Sequence, residues 1–169
     1  MELRSVEELM DLLYACRGTA GPDRHGRRVD LHDHALRTAA LLRRRRPADK
    51  ELQVAGLVHG IGGLLAPTAP AATPGAQGGD GAGYVQAAGA ARAADAVRAL
   101  LGERVARLVR QQAAAAEGRR ADPVDEDALT LRQAREEART DGPDAGVLED
   151  WRTLLELVAA RNSRLGAVD

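Results

Sequence analysis

The stretch LQVAGLVHGI, Leu52 to Ile61, is apolar on nearly every side of a helix. A helix of that kind holds its shape only with other elements packed around it. The chain must build those walls almost without rings, because Tyr14, Tyr84 and Trp151 are its only aromatic residues and it has no Phe. Leu, Val and Ala on closely packed helices are what remains. Ala and Arg are good helix formers, and β-branched residues are sparse. A chain of 169 residues suits one domain with a real core. The expected fold is therefore all-α: a single domain over 1–169, a bundle of about six to seven helices, at least five of them around Leu52 to Ile61.

The helices can be placed from caps and breakers. Ser5 with Glu8 makes a capping box ahead of Val6, Leu9, Met10 and Leu13. Gly18 and Gly21-Pro22 end that helix, and a polar stretch, Asp23 to Asp30, leads to a second at Leu31 to Arg45. Asp49 caps the central helix, and Gly60, Gly62 and Gly63 end or loosen it. Pro67 to Gly83, rich in Ala, Pro, Thr and Gly, reads as a flexible loop. Helices are expected at Tyr84 to Leu101, Glu103 to Glu117, Asp125 to Arg139 and Leu148 to Leu165.

Charge and cysteine use narrow the function. A net charge of −1 and a pI near 6.4 give no argument for nucleic acid or an anionic membrane as partner. The run Arg43 to Arg46 reads as the solvated end of a helix, where basic residues suit the dipole; phosphate binding is the lesser reading. Cys16 is the only cysteine, which excludes an intrachain disulfide and suits a cytoplasmic setting. No apolar run approaches the length of a bilayer span, and the start MELRSVEELM is no signal peptide. Arg and Ala usage, with Lys50 as the sole lysine, suggests a GC-rich bacterial genome. GGDGAG, Gly78 to Gly83, follows no strand and makes a poor dinucleotide loop.

The chemistry-bearing residues are the four histidines, His25, His32, His34 and His59. The first three lie among Asp23, Asp30 and Asp33. His32 and His34 diverge by roughly 200° on a helix, so they do not face one metal. His34 and His59 could instead satisfy each other in the core, or do acid–base work without metal.

His34 is followed by ALRTAALL, and 25 positions after it His59 stands in LQVAGLVHGIGGLL. This pairing resembles the HD-domain superfamily, in which a first His helix precedes a buried helix ending in LLHDIGH. The similarity is nearest to the phosphonate-cleaving, mixed-valent di-iron HD oxygenases. VARLVRQQAAAAEGRR, DALTLRQA and LEDWRTLLELVAARN resemble the family's later helices more loosely. Residue by residue, the resemblance assigns ligand positions to His34 and His59. It also finds Gly60 where the signature Asp belongs, Gly63 for a following His, and Val85 or a neighbour for another. Gln112 stands for a His, Ala116 for a Lys, and Ala159 or Ala160 for the last Asp. The resemblance thus implies a degenerate metal site. Two neutral imidazoles without carboxylates hold iron weakly and magnesium or manganese hardly at all, so no metal and no cofactor is expected.

Small residues at these positions leave two readings open: tight helix packing, or a pocket reshaped for an organic ligand. The leading expectation is a pseudoenzyme that binds a small organic ligand through His34, His59, Gln112 and Gly60, within a bacterial biosynthetic pathway; an accessory protein that binds a pathway protein through its surface is the other partner reading. Alternatives are a metal-independent enzyme with His34 and His59 as catalytic residues, and a residual metal-dependent oxygenase or phosphohydrolase.

Overall fold

The computed structural model describes residues 2–18, 20–22, 28–63, 81–116, 126–140 and 146–166. His25 and residues 67–80 of the expected loop lie outside them. Among the described residues, seven α-helices form the bundle: α1 Val6–Ala15, α2 Leu31–Arg45, α3 Lys50–Val58, α4 Gly81–Leu101, α5 Glu103–Ala116, α6 Glu126–Thr140 and α7 Arg152–Gly166. Two 3-10 turns, Ile61–Gly63 and Leu148–Trp151, precede α4 and α7. The all-α expectation holds. One detail differs from the polar loop read before α2. Strands β1, Ala20–Pro22, and β2, Arg28–Asp30, pair antiparallel in a short hairpin.

The caps act as the sequence says. Ser5 accepts from the Glu8 N–H, and Asp49 accepts from the Leu52 N–H at 3.1 Å. The Glu8 carboxylate, however, accepts from the Arg4 N–H at 2.8 Å, one residue before the position a capping box uses. α3 ends with His59 as its C-cap. Gly60, Gly62 and Gly63 therefore carry no helix-interior penalty. The expected loop is shorter than read at its C-terminal end, because Gly81–Gly83 already belong to α4. Glycine is a poor helix former, but helix propensity is a weak prior.

α3 sits at the centre. It packs on α2, α5, α6 and α7, while α4 packs on the turn holding Ile61. Leu52, Val54, Ala55, Leu57, Val58 and Ile61 are all fully buried. The lack of rings is met by close approach. A side chain at Gly56 would press on Leu42 and the Ala39 backbone, so α2 and α3 touch through small residues. The one large ring, Trp151, is buried, with the Arg43 guanidinium 4.6 Å from its centre. Gly102, with φ +99°, makes the tight corner between α4 and α5. Asn162 of α7 ties that corner down by donating to the Ala99 carbonyl at 2.8 Å. Among the described residues, no helix is long and apolar enough to cross a membrane.

Candidate functional site

The start of α2 sets the phase of its histidines. The Asp30 carboxylate accepts from the N–H groups of His32, Asp33 and Gly18. Those bonds hold its carboxyl below the usual range against the opposing effect of burial. With the helix so phased, His32 lies against α1, donating from Nδ1 to the Leu13 carbonyl at 2.9 Å and stacking on Tyr14. Asp33 is exposed. His34 turns inward and is buried. The two histidines part company as the helical period requires.

His34 and His59, 25 positions apart, meet in space. Their ring centres are 5.3 Å apart and the planes are nearly perpendicular. Each ring spends one nitrogen on a backbone carbonyl. His34 Nε2 donates to Arg135 O at 3.0 Å, and His59 Nδ1 donates to Gly56 O at 2.6 Å. That fixes the tautomers of the neutral rings, leaving His34 Nδ1 and His59 Nε2 with lone pairs.

Gln112 of α5 is buried beside the same helix, α6. Its amide donates to Ala128 O at 3.2 Å and its oxygen accepts from Arg135 Nη1 at 3.1 Å. Arg135 is thus the common post: its carbonyl holds His34 and its guanidinium holds Gln112. Arg135 is the residue of this site that the expected helix Asp125 to Arg139 did not single out. A signal was present: Ala128, Leu131, Arg135 and Ala138 recur at helical spacing, so one arginine interrupts the stripe that α6 buries.

Burial pushes both imidazoles toward the neutral form, His59 further than His34. The positive charges of Arg135 and Arg139 act the same way on both, and Arg37 adds to it at His34. A field of this sign opposes a cation. Among the described residues, no three His, Cys, Asp or Glu side chains converge as a metal set would. The arrangement can accept hydrogen bonds and take up a proton; burial makes it a weak base.

The glycines divide between the two readings left open. A Cβ on Gly62 would overlap the Gly89 carbonyl, so this glycine allows backbone contact with α4. Among the described residues, a Cβ on Gly60 would meet nothing within 4 Å, so none of them fills the position next to His59. Cys16 is buried, and burial pushes its thiol up to about 11, which removes it as a nucleophile. No family model, curated protein or solved structure matches this chain.

Proposed function

We propose that this chain is an HD-like domain that has exchanged metal chemistry for binding a small organic ligand at His34, His59, Gln112 and Gly60. The observation that carries the reading is the edge-on pair of imidazoles, His34 buried and His59 half-buried, both pushed toward the neutral form. Buried polar groups that converge beside apolar walls are the usual makings of a ligand pocket. Space at Gly60 that no described residue fills and the arginine field against cations support the same reading. The order of a first His helix, α2, and a buried helix capped by His59 supports the HD resemblance. We place the protein in the bacterial cytoplasm, in a biosynthetic pathway, with no nucleic-acid partner. The lone-pair nitrogens favour one second reading, a metal-independent enzyme using His34 and His59 for proton transfer.

The test is imidazole nitrogen NMR of the full chain against a library of neutral and anionic organic fragments. Binders should shift the His34 and His59 signals, and His34→Ala, His59→Ala and Gly60→Leu should each abolish the shifts. His34→Gln and His59→Gln keep a side-chain donor and guard against loss of fold. Fragments that bind wild type and all these variants alike would overturn the proposal. Turnover of a bound fragment, lost in the glutamine variants, would select the enzyme reading.

A further inference from the structure

The corner between α2 and α3 holds a solvent-open groove of about 500 Å³. The end of α2 supplies Arg45 and Arg46, the start of α3 supplies Lys50, and α5 and α7 supply Arg104 and Arg161. Two carboxylates, Asp49 and Glu51, line it as well. They do not neutralise the groove evenly, because both are committed to one cation. Arg104 meets both Asp49 oxygens at 2.7 Å and Glu51 at 3.1 Å, with Asp127 at 3.0 Å. Arg46 reaches Asp127 only at 3.5 Å, and Arg45 pairs with Glu137 at an exposed site. Among the described residues, neither Lys50 nor Arg161 pairs with a carboxylate; Lys50 instead donates to Pro47 O at 3.1 Å.

The groove therefore offers separate cations from α2, α3 and α7 around one space, and two of them have no carboxylate partner among the described residues. Among the described residues, no aromatic side chain lines it, and Pro47 and Ala48 are its only apolar ones. A base or acyl chain would find nothing to stack on or bury against. We propose that this groove is a second binding site, for a compact polyanion: a small molecule with two or more phosphate or carboxylate groups and little apolar surface. Guanidinium forks suit such oxyanions, and Lys50 adds a point charge. This site lies outside the His34 and His59 centre and does not depend on it.

Isothermal titration of the full chain at low salt, with pyrophosphate and with citrate in separate runs, tests the proposal. Saturable binding of either supports it, and the tighter of the two names the oxyanion. Lys50→Ala with Arg161→Ala should weaken binding at least about tenfold. Arg44→Ala, an exposed arginine that does not line the groove, should change it less than about twofold, and His34→Ala should leave it unchanged. Circular dichroism of the double variant should match wild type, since both side chains stand at the surface. No saturable binding up to about 10 mM of either probe would overturn the proposal. Equal losses for Arg44→Ala and the groove variants would do the same, as that marks diffuse attraction. Binding of poly-glutamate with both small probes inert would assign the surface to an acidic protein segment instead.

Discussion

At the scale of single residues, His34 and His59 tie stability to pH in a window of their own. Both hold lowered affinities for a proton in the fold, below the ordinary 6.5. The unfolded chain therefore binds more protons than the folded one as pH falls through about 6.5. Their contribution is complete above that pH and is lost progressively below it. The unfolding temperature should stay level near neutrality and drop toward pH ~5, and the double variant His34→Gln, His59→Gln should flatten that drop. An unchanged slope in the variant would show that these rings do not carry it. The lowered carboxyls of Asp30 and Asp49 act elsewhere, below their ordinary 3.8. Gly62 and Gly60 give a second contrast. Gly62→Ala drives a Cβ into the Gly89 backbone and should cost about 3 kcal/mol in urea unfolding. Gly60→Ala meets no described atom and should stay within about 0.5 kcal/mol of wild type. Equal costs at the two positions would contradict the division between packing and open space.

Between elements, the Arg104 clamp ties three helices together. Asp49 is both the N-cap of α3 and the bidentate partner of Arg104, which also reaches Asp127 on α6. Three helices are fixed by one guanidinium. Hydrogen bonds from Arg104 hold the Asp49 carboxyl below its ordinary value, against the effect of burial. With the Arg104 side chain 32 % exposed, solvent screens part of that attraction. Arg104→Met should cost about 1–2 kcal/mol, above an ordinary surface pair because Asp49 is left without its partner in a partly buried place. Added salt should shrink the difference between wild type and variant. A loss no larger than that of Arg45→Met, whose pair with Glu137 is exposed, would reduce the clamp to a surface contact. Gln53 works at the same corner, donating to the carbonyls of Arg46 and Pro47, so the turn from α2 to α3 is fixed from two sides.

For the whole molecule, the donor set and its positive surroundings predict that manganese or ferrous iron will not raise the unfolding temperature, because only a ligand bound to the native state stabilises it. A rise that saturates with metal, and is lost in His34→Ala, would restore a metal role to the site. The sequence by itself determined the helices and the centre. Leu52 to Ile61 could be placed inside because no face of it suits water, and α2 was legible from Leu31 to Arg45 because Asp30 opens it and Pro47 closes it. Those signals are local, and local chemistry suffices for them. The hairpin at Ala20–Pro22 and Arg28–Asp30 was not legible, since strands of three residues carry too few alternations to announce a period. Nor was the use of each glycine, because Gly60 and Gly62 differ only in what stands opposite them. His34 and His59 could be named from the sequence, but their contact, their tautomers and the role of Arg135 belong to the tertiary structure alone. Arg135 follows His34 by 101 positions, and only the packing of α6 on α2 brings its carbonyl to that ring.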